Sequence, residues 1–141
     1  MSFRFLLLLP LFCAGCADST DVSSRKPFRA YIGKTVALRR DMLLIKHSGY
    51  FFGGVNDVMS ARHVRYGLTA PGTYRAPRVF AQLPSGHRVT IDAVIDEAYF
   101  DAAPTVVYGH TTFPPTGKET SFAYLYSTSE PLPWGPRAAS H

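Results

Sequence analysis

The stretch that decides the fold class runs from Thr105 to Tyr126. It reads Thr105-Val106-Val107-Tyr108-Gly109-His110-Thr111-Thr112-Phe113, then Pro114-Pro115-Thr116-Gly117-Lys118, then Glu119-Thr120-Ser121-Phe122-Ala123-Tyr124-Leu125-Tyr126. The first run is β-branched and aromatic, and such side chains suit a pleated surface better than a helix. The second alternates, with Phe122, Tyr124 and Tyr126 on one face and Ala123 and Leu125 on the other. Two runs of this kind joined by five residues that include Gly117 read as a β-hairpin.

Outward from the hairpin the same period of two recurs. Arg88-Val89-Thr90-Ile91-Asp92 alternates polar and apolar residues and opens after the turn signal Leu83-Pro84-Ser85-Gly86. Ala30 to Leu38 and Asp41 to His47 read as two strands, with Ser48-Gly49 as a turn. A helix through Ile32, Val36 and Leu43 is opposed by Gly33, Thr35 and Val36, all poor helix formers. Val55, Val58, Met59 and Arg62 suit one short helix, and Gly67 to Pro77, with two prolines and two glycines, reads as a loop. Pro131-Leu132-Pro133-Trp134-Gly135-Pro136 excludes both helix and central strand, which predicts Trp134 laid across an open end of the sheet.

With 141 residues, 46% of them apolar and 13% aromatic, the chain has room for one domain and is too apolar for a disordered one. The expectation is a mainly β fold of five to seven short strands, a small antiparallel barrel or sandwich with at most one short helix. Leu83-Pro84-Ser85-Gly86-His87-Arg88-Val89-Thr90-Ile91, followed by a hairpin, resembles the Leu-Pro-x-Gly-x-x-Val opening of bacterial SH3-like domains, which implies a barrel and no particular activity.

The N-terminus has a different character. Met1-Ser2-Phe3-Arg4 carries one positive charge, Phe5 to Phe12 is almost unbroken apolar sequence, and small residues follow at Cys13-Ala14-Gly15-Cys16. These are the physical requirements of a secretory signal. As a helix, Phe5 to Ala17 would span only about 20 Å, short of a roughly 30 Å hydrocarbon core. Ala14-Gly15-Cys16 resembles the lipobox of bacterial lipoproteins, with Cys13 standing where that family usually has Leu. The resemblance implies that the Cys16 thiol receives a diacylglyceryl group, that cleavage precedes it, and that the new amino group is acylated. It implies a membrane partner reached through acylated Cys16, and a mature chain without a free thiol. Ala17 directly after the cysteine, with Asp18 next, implies an outer-membrane lipoprotein facing the periplasm, with the inner membrane and secretion as alternatives. The organisation read from this is a signal peptide over 1–15, a tether over 16–24, one β-rich domain over 25–136 and a tail over 137–141.

Charge is divided along the chain. Residues 17–90 hold 12 Lys+Arg against 4 Asp+Glu, and residues 91–141 hold 2 against 6. One reading places Arg25, Lys26 and Arg29 on anionic head groups, worth up to about 1 kcal/mol each. The favoured reading pairs basic strands of the first half with acidic strands of the second; base composition also weighs, since 11 of the 15 basic residues are Arg. No nucleic-acid motif accompanies the charge, and no nucleic-acid partner is expected.

Signals for catalysis are weak. There is no Gly-x-Ser-x-Gly elbow. His47, His63, His87, His110 and His141 show no metal-ligand spacing, so no metal or cofactor is expected. Gly117-Lys118-Glu119-Thr120 departs from a phosphate loop, with Thr112 where glycine is required and Glu119 where Ser or Thr is required. Asp92, Asp96, Glu97 and Asp101 form the acidic cluster; if the strand runs on, Asp92 and Asp96 share a face. Tyr99, Phe100, Phe122, Tyr124, Tyr126 and Trp134 could build a ligand-stacking surface, but aromatics in a small β-domain are more often core. Tyr50-Phe51-Phe52-Gly53-Gly54 reads as a buried strand ending in a glycine turn.

The function expected is a non-enzymatic, lipid-anchored binding or structural module with an envelope protein or glycan as partner. Candidate contacts are the loop from Gly67 to Arg78 with Arg62, Arg65, Arg75 and Arg78. A second hypothesis is an inhibitor or immunity protein that presents Asp96, Glu97 and Asp101 to a basic lysozyme-like enzyme or toxin. An envelope hydrolase is the third.

Overall fold

A computed structural model describes residues 19–46, 64, 66–72, 79–97 and 104–135. These form a mainly β fold. In chain order the strands are β1 (Thr20–Asp21), β2 (Thr35–Ala37), β3 (Met42–Lys46), β4 (Tyr66–Thr69), β5 (Val79–Leu83), β6 (Arg88–Asp96), β7 (Thr105–Phe113) and β8 (Lys118–Leu125). One 3-10 turn, Phe28–Ala30, lies between β1 and β2. Along the sheet the order is β1-β6-β7-β8-β4-β3-β5, with β2 also paired to β6. That is eight strands among the described residues, one more than the upper end of the sequence reading. All pairings are antiparallel except β4 with β8, where Tyr66 aligns with Phe122 and Gly67 with Ala123.

The hairpin is present. β7 and β8 pair in continuous register from Val106↔Leu125 to Phe113↔Lys118. Lys118 belongs to the ladder, so the connection is the four residues Pro114–Gly117, with Gly117 at a positive φ of 65° that an L side chain adopts at a cost. The strand expected at Ala30 to Leu38 is shorter, because its start is occupied by the 3-10 turn and a single bridge from Ile32 to Ile91. The strand expected at Asp41 to His47 is β3.

The expected loop from Gly67 to Pro77 is corrected at its start. Tyr66–Thr69 is a strand between β8 and β3, with Gly67 and Leu68 buried. Its glycine suited a loop, but with neighbours on both sides its backbone groups are satisfied by the sheet, and tertiary pairing outweighs local propensity. The turn at Ser48-Gly49, the helix near Val55 to Arg62 and the aromatic run Tyr50 to Gly54 lie outside the described residues.

Met42 and Leu44 from β3, Leu68 from β4, Leu83 from β5, Val89, Ile91 and Val94 from β6, Val107 from β7, and Phe122 and Tyr124 from β8 share one buried cluster. Strands that are far apart along the sheet meet in a single core, so the sheet curls around it. Phe80 of β5 lies against Phe113 of β7, with ring centroids 4.6 Å apart, across that curl. Val64, Ile95, Val106, Tyr108 and Ala123 form a second cluster on the opposite face of β6, β7 and β8. β7 is therefore buried on both sides, which explains why Val106-Val107-Tyr108-Gly109 lacks polar alternation.

A bulge shifts the β6–β7 register between Ile91 and Ala93. It switches the alternation: Val89 and Ile91 face the main core before it, and Val94 after it. Asp92 and Asp96 accordingly fall on opposite faces, so the shared face inferred for an uninterrupted strand does not form. Gly109 sits beside the bulge. A Cβ there would lie 2.6 Å from Cζ of Phe122 and closer still to the carbonyl oxygen of Thr90.

One end of the curled sheet is closed by the proline-rich segment. Trp134 is buried and stands edge-on to Tyr124 at 5.6 Å between centroids, and the Arg39 amide donates to the Pro133 carbonyl. Phe28 and Tyr126, 5.0 Å apart, pack beside it. Trp134 is thus positioned as the sequence pattern implied.

Candidate functional site

Of the acidic cluster, the structure describes Asp92, Asp96 and Glu97. Asp96 closes β6 opposite Thr105 and Thr20. It accepts a hydrogen bond from the Thr105 hydroxyl at 2.6 Å and forms an ion pair with Arg25 at 3.3 Å. Glu97 follows and is fully buried. Its Oε1 accepts from the Tyr108 hydroxyl at 2.6 Å and its Oε2 from the Ser19 hydroxyl at 2.7 Å, while its amide donates to the Pro104 carbonyl. Glu97 is therefore corrected from a partner contact to an internal junction. Its carboxylate is committed to hydroxyls of β7 and of the N-terminal segment, and a partner could reach it only by displacing them. Asp92 joins a different group, hydrogen-bonding His110 Nδ1 at 2.9 Å.

The junction also changes the reading of the segment taken as a tether. Thr20 and Asp21 pair with Asp96 and Ile95, and Val22 is buried in the main core. The Val22 amide donates to the Val94 carbonyl, and Ser23 exchanges hydrogen bonds with Val94. The small polar composition of residues 18–24 suggested free chain, but one buried valine and an available edge of β6 suffice to dock it. From Ser19 onward this segment is part of the folded unit.

Cys16, Arg62, Arg65, Arg75, Arg78 and Asp101 lie outside the described residues, as do Tyr99 and Phe100. Phe122, Tyr124 and Trp134 are core, and Tyr126 packs against it. Among the described residues, the Arg25–Asp96 and Arg40–Glu130 ion pairs each join the basic first half to the acidic second half. Among the described residues no three His, Cys, Asp or Glu side chains gather as metal ligands, and no helix is long and apolar enough to cross a membrane.

His87 and His110 have separate surroundings. His87 Nε2 is 2.8 Å from the Thr111 hydroxyl, which itself donates to the Arg88 carbonyl. Partial burial lowers the His87 pKa below the usual histidine value, with a backbone hydrogen bond at Thr112 opposing the shift. At the closed end, burial raises the Tyr124 pKa, and the Arg40 guanidinium beside it pulls the value back.

The feature that sequence reasoning missed lies at the hairpin end. Tyr66 of β4, Phe80 of β5 and Phe113 of β7 form a continuous aromatic row, with centroids 4.4 Å and 4.6 Å apart along it. They line a groove of about 570 Å³ together with Thr116, Lys118, Glu119, Thr120 and Ser121 from the hairpin tip and β8. Phe80 keeps 40% of its surface exposed, unusual for a phenylalanine in a strand. The three rings stand far apart in the sequence and belong to three strands, so no local pattern announces them. The available hint was Val79-Phe80, two consecutive large apolar residues where alternation would bury only one.

No protein-family model, curated protein or solved structure matches this chain.

Proposed function

We propose that this protein is a lipid-anchored, non-enzymatic binding module of the bacterial envelope, acylated at Cys16 and held at the periplasmic face of the outer membrane. The observation that carries this reading is the short distance between the lipobox-like cysteine and the sheet. Ser19 is bonded to Glu97 and Thr20 is in β1, only three and four residues beyond Cys16. Three residues reach at most about 10 Å. An acylated Cys16 would therefore hold the β1–β6 edge against the leaflet, with Arg25 beside it at the surface. One acyl chain gives only marginal attachment, whereas two or more hold stably, at about 0.8 kcal/mol per buried methylene.

The groove at the hairpin end supplies the binding part of the proposal. It lies at the opposite end of β7 and β8 from Thr105, which pairs with Asp96, so it would face away from the anchored edge. The inhibitor reading depended on a three-carboxylate surface, and the burial of Glu97 removes one of the three.

The test is metabolic labelling with an alkyne fatty acid, followed by intact-mass measurement of wild type and Cys16→Ser. Label on the wild type, with loss of label and retention of the leader in the variant, is the expected result. An unlabelled wild-type product would overturn the anchor.

A further inference from the structure

We infer that the exposed basic strip from Arg25 to Lys34 rests on the phosphates of an anionic phospholipid leaflet. The inference deepens the function proposed above and rests on the anchored orientation given there. Cys16 supplies the attachment, and the strip supplies a preference among lipids.

The segment that follows the anchor runs along one edge of the sheet. β1 lies opposite Ile95 and Asp96, the Ile91 amide donates to the Lys34 carbonyl, and β2 continues along β6 to Arg88. Asp96 and Ile91 are five residues apart on β6, which spans about 17 Å. Between these fixed points the chain turns twice. The Arg25 amide donates to the Val22 carbonyl, and the Arg29 amide donates to the Arg25 carbonyl, which brings Arg25 and Arg29 together. Val22 and Phe28 are buried in the main core, while Arg25, Lys26, Arg29 and Lys34 are exposed.

Pairing across the sheet leaves most of this charge uncompensated. Residues 19–40 hold six Lys+Arg and one Asp, whereas the other described residues hold three Lys+Arg and six Asp+Glu. Arg25 pairs with Asp96, yet its side chain stays 63% exposed and open to a second anion. Lys26, Arg29 and Lys34 form no ion pair among the described residues.

The layout selects the partner. The cations are spread along an edge and do not converge, which suits a plane of phosphates better than one small anion. The large apolar side chains exposed among the described residues, Val79, Phe80 and Leu125, all lie outside the strip. Contact is therefore electrostatic, and it weakens as salt shortens the screening length. An acidic protein would have to enter the gap between this edge and the leaflet. The three residues from Cys16 to Ser19 leave that gap at most about 10 Å deep.

The experiment reconstitutes the full-length expression product in two kinds of vesicle. One is phosphatidylcholine alone, and the other is equimolar phosphatidylcholine and phosphatidylglycerol. Amine-reactive labelling with peptide mass spectrometry then gives the labelling rate of each lysine. Lys26 and Lys34 should label about fivefold more slowly on the anionic vesicles, the effect of one cation at an anionic surface. Lys118, at the hairpin end, should label equally on both. The difference should vanish at about 1 M salt, where the screening length is about 3 Å. Arg29→Glu, at an exposed position, should reduce the protection of Lys26 to less than about twofold. A protein that floats with both vesicles but shows equal labelling of Lys26 and Lys34 overturns this inference alone. Equal slowing at Lys118, or protection of Lys26 unchanged by Arg29→Glu, also overturns it. A protein without acyl mass that fails to float with phosphatidylcholine overturns the anchored orientation, and this inference with it.

Discussion

Gly109→Ala is a severe test of the packing in the β6–β7–β8 layer. The added methyl would lie 2.6 Å from Cζ and 3.1 Å from Cε1 of Phe122, and would also collide with the Thr90 carbonyl oxygen. Phe122 is fully buried in the main core, so its ring can yield only by displacing core neighbours. The Thr90 carbonyl belongs to a strand held by pairing of Thr90 with His110 and of Ile91 with Gly109. Inserting a methyl into a filled core costs about 1–3 kcal/mol, and more when backbone must move. Replacing glycine also restricts the unfolded chain, which offsets about 0.4–1 kcal/mol. The net expectation is a loss of about 2 kcal/mol, which for a domain of this size lowers Tm by roughly 6–10 °C. Urea and thermal unfolding followed by near-ultraviolet circular dichroism would measure it. Phe122→Leu combined with Gly109→Ala removes the ring collision and leaves the carbonyl collision. The double variant should therefore be more stable than the sum of the single losses, by about 1 kcal/mol. A Gly109→Ala protein within about 0.5 kcal/mol of wild type, or additive losses in the double variant, would refute the described approach of β6, β7 and Phe122.

Trp134→Ala should cost about 3–5 kcal/mol by emptying the closed end of the sheet. Trp134→Phe should cost much less, since the indole Nε1 is buried without an acceptor among the described residues and its removal recovers part of the lost packing; chemical denaturation of the two variants compares them directly. Tyr108→Phe, which removes the donor 2.6 Å from Glu97, should lose about 1–3 kcal/mol in the same assay. The His87 pKa is lowered in the folded state, so the unfolded chain binds the proton more readily. Its contribution to stability is fully present above the unfolded value of about 6.5 and is lost as pH falls toward the lower folded value. Denaturation at a series of pH values should show that slope, and His87→Gln should flatten it; an unchanged slope would assign the pH dependence to other groups.

Much of the architecture is readable from the chain by itself. The β-branched and aromatic run from Thr105 to Phe113, the alternation at Arg88 to Asp92 and the glycine-containing turn between β7 and β8 each act through neighbours a few residues away. For the same reason Trp134 could be placed across a sheet end, because four nearby ring and turn residues leave its segment no regular structure to join. Composition also argued correctly that Phe122 and Tyr124 are core.

Other features depended on which strands become neighbours. Gly67-Leu68 became a strand because β8 and β3 flank it, and Thr20–Asp21 became one because β6 had an edge to offer. The bulge beside Gly109 separated Asp92 from Asp96, while burial turned Glu97 from a surface charge into a junction for Ser19 and Tyr108. The row formed by Tyr66, Phe80 and Phe113 draws on strands 14 and 33 residues apart in the sequence. Local preference is set by short-range sterics and period, so it survives in the one-dimensional pattern. A groove or a buried carboxylate is made by long-range contacts, and those exist only after the sheet has curled.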